Sequence, residues 1–546
     1  MRSGITGSFP PTRTTCLPSN SDKDSVPDPP NLYHHGILAY VVLSLSHLTA
    51  QFVLAQLNWF KQRAAAARQK ERVDRLVSDG TLPPVSVIYP IYNETPEILE
   101  KVLRQAVTCL EIPKLELIFV DDGSPNLAEL KPVYEKFSGD RVKVLYKPNG
   151  GKRDAQYAGF NVAQGEYFIT VDSDTLINAD GICRLIAPLL MDERIGGATG
   201  EIQLENRQET WLTRLQSLRY WLSFNLERAA QTYSGCMLCC AGPFSVYRRE
   251  VIERVKDAYI NQRFLGAKCT YGDDRHLTNL IIGAGYKTIF QQGAVAHTYA
   301  PTTLKDYIAQ QTRWNKSFYR ELFWTLGIFR QVSVYSMWDL LVQTTLFAGF
   351  ICASGFTLFN LLNTFDLKVA VYYVALMVCM ASTRSVYGLV RTLNPAFIGF
   401  IGYGLLHVLV LVPVRFKAIL TLTDNHWGTR GPRRLNAWAD FAKWFLAYVC
   451  CLIGLAGFIV LTTSETQVIA NLQTPTFIFT GSWAELVRGA SASYSRAFLP
   501  WLLTSSAIIG ITLLLNTRKR VLSVIPGPIE DRPTSTPVEA NRQPVR

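Results

Sequence analysis

The chain has 546 residues, 48% hydrophobic and only 18% charged, with a formal net charge of +12. A balance this apolar, unevenly spread, argues against a uniformly soluble protein and for a soluble module joined to membrane segments. The 11 cysteines have no regular spacing, which excludes a secreted disulfide framework, and Cys236-x-x-Cys239 lacks the second ligand pair of a zinc site.

Residues 1–33 are rich in Pro, Ser and Asp without periodicity and are expected to be disordered. The apolar run that follows predicts a transmembrane helix over 34–60, a signal anchor that carries Gln51 and Gln56. Behind it comes a basic linker, 61–84, whose run KQRAAAARQKERVDR reads as a cytoplasmic flank, as does NTRKR at 516–520. The positive charge therefore belongs to membrane flanks, and no nucleic-acid partner is expected.

From 85 to about 175, short apolar runs end in polar turns: VSVIYPIYN, LELIFVDDGS, VKVLYKPNGG and YFITVDSD, with helix-like stretches between them. Such alternation predicts an α/β domain with a parallel sheet and ligand chemistry at the carboxyl ends of its strands. A stretch at 206–231 reads as an amphipathic interfacial helix, with core packing the equal alternative. Interfacial helices are expected over 301–333, then a transmembrane region over 334–516 with spans at 340–362, 368–390, 438–462 and 498–516, and a cytoplasmic tail over 517–546. The run 396–420 contains Pro413 and ends in Arg415 and Lys417, which reads as re-entrant or interfacial. Arg384 either snorkels or lines a passage for an acidic polymer.

The acidic clusters carry the chemistry. In TVDSDT, alternation along an extended segment sends Asp172 and Asp174 to one side, where both can reach a hard divalent cation. Asp121 and Asp122 of VDDGS end an earlier strand and can accept from a uracil N–H or a ribose hydroxyl. NGGKRDAQ places Lys152 and Arg153 at a helix start, which suits a diphosphate. In YGDDRH, Asp274 and His276 are rival general bases, with Arg275 beside them. Gln310, Arg313 and Trp314 lie within about one helical turn, where a guanidinium fork meets diphosphate and an indole stacks on a sugar.

In this order VDDGS, GKRDAQ, VDSDT, ERAAQ, CAGPFSVYRREVI, RFLGAKCTYGDDRHLTN, QQTRWNKSF and HWGTR resemble the processive family 2 glycosyltransferases, hyaluronan synthases most closely, over roughly 85–430. The resemblance implies a cytoplasmic fold of the GT-A type over 85–300, with a mixed, mainly parallel sheet, set on an α-helical transmembrane channel of the plasma membrane. It implies that Asp121 and Asp122 hold uridine, Lys152 the diphosphate region, and Asp172 with Asp174 a Mg or Mn ion. Asp274 becomes the general base, Gln310 and Arg313 contact diphosphate, and Trp314 stacks on the acceptor. Trp427 and Arg430 belong to a gating loop near 424–434, and Cys239 and Cys240 fall near the acceptor. The implied partners are UDP-GlcNAc, UDP-GlcA, the growing polysaccharide and membrane lipids. Nodulation chitooligosaccharide synthases, which use UDP-GlcNAc alone, share the acidic motifs and also the single apolar segment ahead of the catalytic domain.

Overall fold

The structure, a computed structural model, describes residues 32–364, 367–425, 438 and 440–452. The expected span at 498–516, most of the expected gating loop with Trp427 and Arg430, and both terminal segments lie outside the described residues.

Seven strands form one sheet: β1 (Val85–Ile91), β2 (Leu115–Asp121), β3 (Val142–Tyr146), β4 (Tyr167–Val171), β5 (Ile195–Leu204), β6 (Phe244–Arg248) and, after the two-residue strands β7 (Arg263–Phe264) and β8 (Ala267–Lys268) of a separate hairpin, β9 (Lys287–Thr298). Their order is β3-β2-β1-β4-β6-β5-β9. Only β6 runs against its neighbours β4 and β5; the other pairings are parallel. This is the mixed, mainly parallel sheet expected. β1 and β4 are buried at every position, as strands covered on both faces require. The first crossover helix, Pro96–Thr108, starts where Thr95 Oγ1 accepts from the Ile98 amide and Pro96 supplies a preset φ; it buries Leu99, Val102, Leu103 and Ala106 along one stripe.

Because β1, β2 and β4 are parallel, their carboxyl ends share one edge. That edge carries Tyr92, Asp121–Asp122 and Asp172–Asp174, the acidic clusters read from the sequence.

The linker is not a separate element. A single helix of 47 residues, Leu32–Ser78, runs from the apolar segment through the basic run. Gln62 docks its far half onto the sheet edge: its Nε2 donates to the Phe290 carbonyl at 2.6 Å and its Oε1 accepts from the Gln292 amide at 2.8 Å. The amide thus takes the place of a missing neighbour for β9.

Among the described residues, two helical runs are long and apolar enough to cross a membrane, Val334–Ile351 and Ala396–Leu420. The second is the run read from sequence as re-entrant or interfacial. It is helical throughout except for a turn at Phe400, and a π-helical turn, His407–Leu411, precedes Pro413. A ring that removes an amide donor is tolerated beside such a local adjustment. The 206–231 stretch resolves toward core packing: the Trp211–Leu222 helix passes through a π-helical turn, Ser223–Arg228, and buries Leu212, Leu222, Phe224 and Leu226.

Candidate active site

A cavity of about 1150 Å³ opens at the carboxyl edge of the sheet and extends between the helices that follow it. Its sheet end is lined by Asp122, Lys152, Asp172, Asp174, Asp273 and Asp274, and its wall continues through Gln310, Arg313 and Trp314. Eight of the nine sequence-predicted site residues that fall among the described ones are thereby brought together: all but Asp121.

Asp121 is fully buried and both its oxygens are engaged, Oδ1 by the Ser124 amide at 2.8 Å and Oδ2 by the Tyr134 hydroxyl at 3.0 Å. It fixes the turn after β2 and does not line the cavity. Asp122, at the same strand end, points the other way. Its oxygens accept from Lys147 Nζ at 2.6 Å and from the amides of Gly150 at 3.0 Å and Gly151 at 2.7 Å. It therefore shapes the glycine loop that starts the Lys152–Val162 helix. Arg153 departs from its sequence reading: it is buried, its ring-stacking partner is Tyr259 at 5.1 Å, and it faces away from the cavity.

Lys152 is the hinge of the charge distribution. Its Nζ lies 2.5 Å from Asp172 Oδ1 and 3.3 Å from Asp273 Oδ2. Burial works against its charge, but the two carboxylates outweigh that effect and raise its pKa. Asp174 accepts from the Thr298 hydroxyl at 3.0 Å, which links the β4 end to the last residue of β9. A Cβ on Gly242 would stand 3.0 Å from Lys152 Nζ and 3.4 Å from Asp172 Oδ1, so only glycine leaves the space beside this carboxylate open. Two hard oxygen donors beside open space suit a divalent ion that takes its other ligands from phosphate and water. Among the described residues no third acidic, His or Cys side chain completes a protein cage.

Asp274 sits in the first turn of the Asp273–Gly283 helix, after Gly272 at φ 83°. A Cβ on Gly272 would collide with Ser317, so this glycine also lets the Leu304–Gly327 helix approach. The Asp274 carboxylate accepts from the Arg275 amide at 2.8 Å and lies 3.5 Å from Cys239 Sγ. Burial, and after it the Asp273 carboxylate, raise its pKa; Arg275 and Lys152 pull the other way. Burial and Asp274 push the Cys239 thiol up to about 11, so it faces the carboxylate as a neutral donor. The rival base His276 is fully buried and turned away. It contacts Glu321 at 3.3 Å and meets Trp324 edge-on, with ring centroids 5.0 Å apart.

On the Leu304–Gly327 helix, the Gln310 side-chain oxygen is buried with no protein partner, and Trp314 remains 46% exposed, 6.1 Å from the Tyr220 ring. The root of the expected gating loop is anchored here. Asp424 receives Lys316 Nζ at 3.1 Å, its carbonyl accepts from the Tyr271 hydroxyl at 2.6 Å, and Arg320 donates to Asn425 Oδ1 at 2.8 Å.

Away from the sheet, the cavity wall turns basic with Arg219, Arg228, Arg384 and Arg415, beside the carboxylate of Glu227, which Arg219 meets at 3.0 Å. Arg415, read from sequence as a charge flanking an apolar run, faces the cavity, donates to Asn315 Oδ1 at 3.0 Å and stacks on Phe347. Sequence reasoning also missed Lys147, Thr298 and the direct contact of Asp273 with Lys152. The DD pair was the only available signal for Asp273.

The sequence matches known proteins. The family model described as glycosyl transferase family 2 matches residues 86–256, which span β1 to the helix after β6. An N-acetylglucosaminyltransferase of Mesorhizobium japonicum is 35% identical over 352 residues, 64% of this chain and 82% of that one. A hyaluronan synthase of Streptococcus pyogenes is 36% identical over 353 residues, 63% and 83% of the two chains. Among solved structures, a mannosyltransferase from Pyrobaculum calidifontis in complex with GDP-Man and Mn2+ aligns over 70% of this chain and 98% of its own, at 17% identity and a TM-score of 0.41. With most of the length of both curated relatives covered at more than a third identity, and with a GT-A sheet carrying the acidic edge, the chain belongs to glycosyl transferase family 2.

Proposed function

We propose that this chain is a membrane-embedded, processive and inverting glycosyltransferase that polymerises UDP-GlcNAc and UDP-GlcA into hyaluronan and extrudes the product. The observation that carries this reading is the continuity of one cavity, which is acidic where the sheet ends and arginine-lined among the helices. A donor with a diphosphate fits the first end, and a polymer with a carboxylate on every second sugar fits the second.

In this reading Asp274 takes the proton from the acceptor hydroxyl as that oxygen attacks the anomeric carbon of the donor from the face opposite UDP. A single displacement of this kind inverts the anomeric configuration. Burial keeps Asp274 a stronger base than an exposed carboxylate, while Arg275 and Lys152 keep it ionised. Lys152, Gln310 and Arg313 receive the diphosphate, Asp122 meets the uridine side, and the enclosed Asp121 holds the neighbouring turn in place. Trp314 offers its exposed face to the acceptor sugar. Asp172 and Asp174 would hold Mg or Mn, which supplies charge neutralisation for departing UDP. Trp427 and Arg430 complete the reading as gating-loop residues.

A second reading, a chitin-type polymerase using UDP-GlcNAc only, is favoured by the Mesorhizobium relative, whose name specifies N-acetylglucosamine transfer. Incubating the purified protein with each UDP-sugar alone and with both, then digesting the product with hyaluronidase or chitinase, decides between them. Polymer formed only from both donors and cut by hyaluronidase supports the first reading; chitinase-sensitive polymer from UDP-GlcNAc alone overturns it.

A further inference from the structure

The far part of the cavity has a second polar wall that the transfer chemistry does not use. Asp339, fully buried in the Val334–Thr364 helix, accepts from four side chains: His47 Nε2 and Gln231 Nε2 at 2.6 Å, Gln343 Nε2 at 3.0 Å and Gln51 Nε2 at 3.2 Å. Three separate helices contribute to this cluster. Ser44, His47 and Gln51 are spaced i, i+3, i+7 and so share one face of the Leu32–Ser78 helix, and all three line the cavity. Two of their oxygens are left over. Ser44 Oγ and Gln51 Oε1 have no protein partner, although each residue is only 1% exposed.

Buried polar atoms without partners point to a missing ligand. The chemistry of that ligand follows from what is offered: a free carbonyl acceptor and a hydroxyl, around a carboxylate already surrounded by donors. No arginine or lysine takes part, so an acidic group gains nothing here, whereas a neutral group bearing O–H or N–H donors is satisfied. We propose that Ser44, His47, Gln51, Gln231, Asp339 and Gln343 form a product-chain subsite for the hydroxyl and acetamido groups of neutral sugar units. The arginines elsewhere in the cavity take the acidic units. The inference rests on the polymerase reading above, and gives the first helix a role in holding the chain as well as in anchoring the protein.

The test uses the full chain in lipid nanodiscs, supplied with UDP-GlcNAc and UDP-GlcA, with two readouts: the rate of UDP release and the mean length of the product. Gln51→Met keeps the side-chain volume and removes the unpartnered oxygen together with the Nε2 donor to Asp339; Ser44→Ala removes only a hydroxyl that no protein group uses. Losing one hydrogen bond to the retained chain should shorten the mean product about fivefold more than it slows UDP release. If Gln51→Met does not fold, Ser44→Ala carries the test alone. Product length unchanged in an active variant overturns the subsite, and so does a fall in length that merely tracks UDP release. Failure of the parent reading is separate: the wild-type protein itself releases no UDP from either sugar.

Discussion

The two ends of one cavity differ in almost every physical respect. At the sheet edge, six side chains supply five carboxylates and Lys152, held by backbone amides and short ion pairs on strand ends and helix starts. Among the helices, four arginines face one glutamate, on elements interrupted by π-helical turns. Under the proposed function, the acidic end must leave little freedom, as a metal and a base demand. The proposed function asks the basic end to let a ligand slide, and arginines on three helical segments can hand a carboxylate from one to the next. A cavity with uniform charge could do one of these jobs only.

That contrast can be broken from the acidic side first. Asp274→Asn should lower sugar transfer about 1,000-fold, with the donor KM little changed, because the base is lost and the diphosphate contacts are not. Asp174→Asn should lower transfer roughly 100-fold and raise the Mg or Mn concentration needed for half-maximal rate. At the basic end, Arg384→Gln should shorten the product about tenfold, and the loss should appear in chain length before it appears in UDP release. The pH profile sharpens the electrostatic side. Asp274 must be ionised to act, so activity rises as pH passes its raised pKa. Removing Arg275, which lowers that pKa, should move the acid limb to higher pH in Arg275→Met; removing the like charge in Asp273→Asn should move it to lower pH. Smallest of all, Thr298→Val removes one hydrogen bond to Asp174 and should cost a few-fold in rate, about 1 kcal/mol.

What could be read from the sequence, and what could not, follows the same division. Strands β1 to β4 are short, mainly apolar runs that end in polar turns, acidic after β2 and β4, so both their existence and the placing of Asp122, Asp172 and Asp174 were legible. β5, with three glycines in ten residues, and the reversed β6 depend on neighbours that only the fold supplies. The Asp274 and His276 alternatives required a helical phase: two residues apart on a helix are roughly 200° around it, so one faces the cavity and the other the core. Asp121 and Asp122 divide for a related reason, since neighbours at a strand end point to opposite faces. Arg415 was illegible because a charge closing an apolar run looks the same whether it reaches toward headgroups or into a cavity. Only the packing of Phe347 and Asn315 around it tells the two apart.

The most direct measurement of the central claim reconstitutes the protein in sealed lipid vesicles with the catalytic domain outward, supplies both UDP-sugars to the outside, and then adds hyaluronidase there. Continuity between the transfer site and the arginine-lined passage predicts polymer inside the vesicles, resistant to the enzyme until detergent is added. Polymer that forms at normal rates but is fully digested without detergent would contradict it.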